Sequence, residues 1–181
     1  PIEVSLDDLA TLFPTAAGAQ PAVPSWAAYP LGVAWALLRE AGTTRATASA
    51  VVGVDIAIAS EVPIGAGLSS SAAIECAVAS ALNDLWNLEL SRIELAQAGR
   101  LAENEAVGAP TGIMDQMASM LGKADAAIFF DCRSFEATIV DLGFAAAGLE
   151  LLVIDTRVEH AHSTGGYGER RASCELGART M

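Results

Sequence analysis

The sequence predicts an α+β fold with strands and helices intermingled, and three observations carry that prediction. Apolar residues recur at helical spacing in four separate stretches between Ser25 and Leu121. VVGVDIAIAS, residues 51–60, instead alternates apolar with smaller side chains, the pattern of a half-buried strand. Short extended pieces at 126–131, 137–140 and 149–155 then precede a glycine-rich turn and a polar helix from about Tyr167. At 181 residues the chain can hold one domain with a sizeable core, or one domain and part of another.

Taken in order, residues 15–25 (TAAGAQPAVPS) predict a surface connection. The first helix follows, with Trp26, Tyr29, Val33, Leu37 and Ala41 on one face, Pro30 in its first turn and Gly42 as its C-terminal cap. After the 51–60 strand comes a helix from about Ser69 to Trp86. Ser91 and Glu94 form a capping-box pair opening a helix that runs to about Val107, where Gly108 and Pro110 stop it. Ile113–Leu121 is a further, short helix, ended by Gly122, with Met114, Met117 and Met120 as core-forming residues.

Composition excludes several functions. A net charge of −12, with Lys123 the sole lysine, argues against a nucleic-acid ligand, whose phosphates need Lys and Arg. It also removes the lysine-bearing P-loop pattern. No apolar run has the length of a membrane span and no secretory leader is evident, so the expected location is cytoplasmic, away from membranes. Cys76, Cys132 and Cys174 are widely spaced and form no CxxC pair, which predicts buried free thiols. His160 and His162 lack an evident third ligand, and Arg170 and Arg171 read as solvated helix residues.

The chemistry concentrates in PIGAGLSSSAAIE, residues 63–75, where two glycines and three serines lead directly into a helix. Helix N-termini offer unpaired N–H groups and partial positive charge, so they attract anions. Gly65 and Gly67 allow close backbone approach, while Ser69, Ser70 and Ser71 supply hydroxyls for capping, phosphate or Mg²⁺. An ordinary serine cap remains an equal reading of this loop alone. Further on, Glu103 and Glu105 fall near a helix C-terminus, where the dipole disfavours anions and calls for a compensating cation. Asp115 stands among Ile113, Met114, Met117 and Met120, which predicts a buried carboxylate, either a catalytic group or a hydrogen-bonding one in the turn.

PIGAGLSSSAA resembles the second motif of the GHMP small-molecule kinases, and GAPTGIMDQMASMLGKADAAIFFDCRS is similar to the active-site segment of their galactokinase branch. WAAYPLGV and VEHAHSTGGYGERRASCE resemble further segments of that branch. The resemblance implies a GHMP-type α+β fold: residues 1–143 as most of an N-terminal domain like ribosomal protein S5 domain 2, and 144–181 as the start of a C-terminal domain. It implies ATP binding by Gly65, Gly67, Leu68, Ser69, Ser70, Ser71 and Ala72, and Mg²⁺ held by Ser70 and Glu103. Asp115 matches the catalytic aspartate, and Gly112, Asp115 and Tyr167 match sugar-contacting positions. The implied reaction moves the ATP γ-phosphate to the C1 hydroxyl of α-D-galactose. A non-catalytic galactose- and ATP-responsive regulator and an N-acetylgalactosamine kinase are the alternatives; a monomer is the default.

The family's N-terminal sugar signature and its glycine-rich third motif are missing from these residues, so this chain is expected to be inactive alone. Pro30, Thr111 in place of a common cysteine, and Asp155 in place of asparagine are smaller departures, none expected to touch the chemistry.

Overall fold

The structure is a computed structural model that describes residues 1–13, 22–44, 51–154 and 166–180. Most of the 15–25 connection, and Asp155, His160 and His162, lie outside the described residues. A 3₁₀ turn, Ser25–Ala27, leads into α1, Ala28–Thr44. Pro30 sits in its first turn, where a missing N–H breaks no helical bond. Val33, Ala36 and Leu37 are fully buried along its inner face. The helix passes through Gly42 to Thr44 instead of stopping there, since a glycine ends a helix only where the chain turns left-handed after it.

Helix α2, Ser70–Leu85, packs against α1, and Trp86 closes its C-terminus at 1% exposure. The predicted capping box is present at the start of α3, Arg92–Leu101. Ser91 Oγ accepts from Glu94 N–H at 3.3 Å, and Ser91 N–H donates to Glu94 Oε2 at 2.7 Å. Beyond Leu101 the helix continues to Val107 as expected, but Ala102–Val107 widens into a π-helical turn, closed by Gly108 at φ +81°. Helix α4, Met114–Leu121, lays Gln116, Met117 and Met120 against the core. Met114 is 70% exposed, so the methionine face reaches the interior only from Met117 onward.

Strands β1, Ala126–Phe130, and β2, Ala137–Asp141, form an antiparallel hairpin with Ala126 opposite Asp141 and Phe130 opposite Ala137. Asp131 Oδ1 accepts from the N–H groups of Arg133 and Ser134 and shapes the turn between them. A four-residue helix not foreseen in the sequence, α5 at Phe144–Ala147, is bracketed by Gly143 and Gly148, and α6 spans Gly166–Thr180. The expected strands at 51–60 and 149–154 run without regular pairing: among the described residues neither has a ladder partner. Alternation marks an apolar face, but a strand forms only where another backbone accepts its hydrogen bonds. Leu151, Leu152, Val153 and Ile154 are accordingly exposed. Only Cys76 of the three thiols is buried, because Cys132 falls in the hairpin turn and Cys174 on the solvated α6.

The core is therefore helical, built where α1, α2, α3, the π turn and α4 meet. Gly32 permits the closest approach in it, since a Cβ there would stand 2.7 Å from Ala106 Cβ. Gly32→Ala must push α1 off the π turn. The overpacking is expected to outweigh alanine's better helix propensity and leave a net loss of about 1–2 kcal/mol, read as a lower urea midpoint with unchanged slope.

Candidate active site

Gly65 and Gly67 both adopt φ +75°, a left-handed conformation that a side chain would strain. Ser69, the residue before α2, is also left-handed at φ +54°, and its hydroxyl makes no capping hydrogen bond. The ordinary-cap reading therefore fails for Ser69, and the amides that open α2 keep their anion-attracting character. Ser70 and Ser71 line a groove of about 670 Å³, together with Gly65, the wall residues Ile56 and Ile58, and the aromatic rings of Trp26 and Tyr29. Trp26, expected on the buried face of the first helix, is 58% exposed at this groove. Ile56 and Ile58 of the alternating 51–60 segment thus face a cleft, while Val51 and Val54 pack against the core.

On the opposite side of α2 lies a buried acidic cluster that the sequence reading located only in part. Glu75 and Gln116 are fully buried and Glu103 is 4% exposed. Gln116 Nε2 donates to Glu75 Oε2 at 2.9 Å and to Glu103 Oε2 at 2.8 Å, and Thr111 Oγ1 donates to the same Glu103 oxygen at 2.7 Å. Neutral donors thus hold Glu103 Oε2, whereas Glu105 pairs with Arg39 at 2.6 Å. Thr111, treated as a neutral departure, touches the candidate metal residue directly. Burial, followed by the nearby Glu103 carboxylate, pushes the Glu75 acid up to about 9. Burial and the same two glutamates raise Tyr29, which links this cluster to the groove.

Asp115 is exposed, contrary to its predicted burial, because the packed face of α4 is formed by Gln116, Met117 and Met120. It lies in the first turn of α4, where the helix dipole favours an anion, and close enough to Glu75 for its charge to raise that acid. Asp115 and Gly112 do not line the serine groove. Ala72 is buried, Leu68 is 53% exposed, and Tyr167 is the second residue of α6. Among the described residues no three His, Cys, Asp or Glu side chains converge as a metal cage. Ser70 and Glu103 nevertheless offer the hard oxygen donors that Mg²⁺ accepts, one or two protein ligands being enough beside phosphate and water.

Glu75 and Gln116 were missed, although a lone glutamate inside SAAIECAVA was the available signal.

Comparison with known proteins matches residues 28–123 to the GHMP kinases N terminal domain. The chain belongs to the GHMP kinase family. This GHMP kinase domain is 52% identical over 157 residues to a galactokinase of Streptomyces coelicolor, covering 87% of the chain and 39% of the relative. It is 40% identical over 159 residues to a galactokinase of Mycobacterium tuberculosis, covering 88% and 42%. It also resembles the crystal structure of Lactococcus lactis galactokinase complexed with galactose, with a TM-score of 0.69 and 28% identity over 96% of this chain and 40% of that one. The chain spans about two fifths of the length of these galactokinases. Its α+β architecture is that of the GHMP kinases. No helix among the described residues is long and apolar enough to cross a membrane.

Proposed function

We propose that this chain is the central part of a galactokinase, which transfers the γ-phosphate of ATP to the C1 hydroxyl of α-D-galactose. The observation that carries the reading is the left-handed start of α2, where the Ser69 hydroxyl makes no capping bond and Ser70 and Ser71 line an apolar groove. A nucleotide base suits the groove, where the exposed Trp26 ring offers a stacking face. Its phosphates would reach Gly65, Gly67, Leu68, Ser69, Ser70, Ser71 and Ala72, whose backbone and hydroxyls face the helix tip. Bound Mg²⁺ neutralises phosphate charge; Ser70 and Glu103 are the residues we assign to hold it. Galactose would sit beside Asp115, with Gly112 and Tyr167, and Asp115 would accept or orient the C1 hydroxyl proton.

Residues 1–143 are taken as most of the N-terminal kinase domain and 144–181 as the start of the C-terminal one. The cytoplasm, where ATP and free hexose meet, is the compartment we propose, with the enzyme as a monomer. A coupled ADP-release assay on the full-length protein tests the function. Galactose-dependent ADP formation is expected, with none from the 181-residue piece by itself. Galactose binding without ADP release would instead establish the regulator, against which the intact Ser69–Ala72 run and Asp115 speak. Preference for the 2-acetamido analogue in competition would move the assignment to an N-acetylgalactosamine kinase.

A further inference from the structure

The buried cluster beneath the active site contains two oxygens that its visible hydrogen bonds leave over. Gln116 Nε2 donates to Glu75 Oε2 and to Glu103 Oε2, so both of its N–H bonds are committed. Those contacts also fix which way the amide faces, since the flipped amide would aim its own oxygen at two carboxylate oxygens. Glu75 Oε1 and Gln116 Oε1 are then each buried and without a hydrogen-bond partner among the described residues. Buried acceptors of this kind are rare in folded proteins and require an explanation. Two lone-pair oxygens, on side chains already joined through one N–H···O bond, satisfy each other only if one of them carries a proton. An amide oxygen has none to give; a carboxyl group can.

We propose that Glu75 is a neutral carboxylic acid whose Oε1–H donates to Gln116 Oε1, closing a two-bond acid–amide ring that makes Gln116 the positioning residue for Glu103. No group outside the chain is needed, because the proton is the carboxyl group's own. The surroundings agree from every side. Glu103 of the π turn and Asp115 of α4 repel a negative charge on Glu75, Tyr29 of α1 is itself pushed up by burial and then by the two glutamates, and the Cys76 thiol beside it on α2 is pushed up to about 11, chiefly by burial. Gly99 brings the α3 backbone directly against the pair, its notional Cβ lying 3.3 Å from Gln116 Cγ and 3.4 Å from Glu75 Cβ. Glu75 and Glu103 do not hydrogen-bond each other; the Gln116 amide stands between them. Fixing that amide aims one N–H at Glu103, which leaves its carboxylate in a set orientation. The ring itself stands without the kinase reading; the positioning role rests on it.

Three variants of the full-length protein test the proposal. Glu75→Gln can rebuild both bonds, its amide N–H replacing the acid O–H, and is expected to melt with the wild type near pH 4.5 and above it at neutral pH. Glu75→Ala and Gln116→Leu break the ring and are expected to melt several degrees lower. Infrared spectroscopy at neutral pH should show a protonated carboxylic C=O band in the wild type that is missing from Glu75→Gln. Because folding holds this proton above its ordinary pKa of 4.5 and unfolding releases it, the ring's contribution is full below about 4.5 and declines as pH rises toward about 9. Glu75→Gln should remove that decline. For the positioning role, Gln116→Leu is expected to raise KM for Mg·ATP by about 10-fold or more.

Loss of stability in Glu75→Gln equal to that in Glu75→Ala, or absence of the infrared band, overturns the neutral acid. An unchanged KM in Gln116→Leu overturns the positioning role. If the wild type forms no ADP with galactose, it is the kinase reading that fails, and the melting and infrared results still decide the ring.

Discussion

Asp115→Asn in the full-length protein is expected to lower kcat for galactose phosphorylation by about 10²–10⁴-fold while leaving the KM for galactose within a few-fold. The amide keeps the size and one acceptor oxygen of the carboxylate but cannot take a proton. Substrate contact should therefore survive where proton transfer does not. Asp115 is exposed and has no hydrogen-bond partner among the described residues, so the substitution removes no internal bond. Its melting temperature should accordingly match the wild type, which separates lost chemistry from lost folding. A near-normal kcat would reject Asp115 as the base and leave the helix tip and Mg²⁺ to account for the rate. A large fall in both kcat and melting temperature would assign it a structural role instead.

What could be read from the sequence follows the range of the forces involved. Local signals survived well: the Ser91–Glu94 box, the starts of α2 and α4 and the β1–β2 hairpin are each fixed by residues a few positions apart. Signals that depend on a partner did less well. The alternation at 51–60 was legible as an apolar face, but whether that face meets a ladder or a cleft depends on backbone elsewhere. Asp115 illustrates the same limit: its apolar sequence neighbours suggested burial, yet on a helix a residue one or two positions away points in another direction. The GIMDQ stretch contained both answers, with Gln116 taking the buried position and Asp115 the open one. The Glu75–Gln116–Glu103–Thr111 contacts span up to 41 positions and could not be ordered by spacing at all. The π turn was equally hidden, since its hydrogen bonds differ from those of an α-helix by one residue while its side-chain pattern barely changes.

The largest stability effect is expected at Trp86, and its consequence should extend to the groove. Trp86 is 1% exposed, and its indole N–H donates to Val52 O at 3.1 Å. Trp86→Ala should cost about 3–5 kcal/mol, a third or more of the roughly 5–15 kcal/mol that holds a typical domain together. Trp86→Phe is the sharper test, because it keeps a large apolar ring and removes the N–H, a loss of about 0.5–1.5 kcal/mol for one hydrogen bond. Val52 lies near the start of the segment whose Ile56 and Ile58 wall the groove, and among the described residues that segment has no ladder to fix its position. The Trp86 bond thus ties this segment to the end of α2 through a side chain. If so, Trp86→Phe should raise the KM for ATP several-fold at temperatures far below its melting point, where almost every molecule is still folded. Equilibrium urea unfolding and ATP saturation curves, measured on the same preparation, separate the two effects. An unchanged KM in Trp86→Phe would mean that the groove wall is held by its own apolar packing on α2, and that the indole bond serves stability alone.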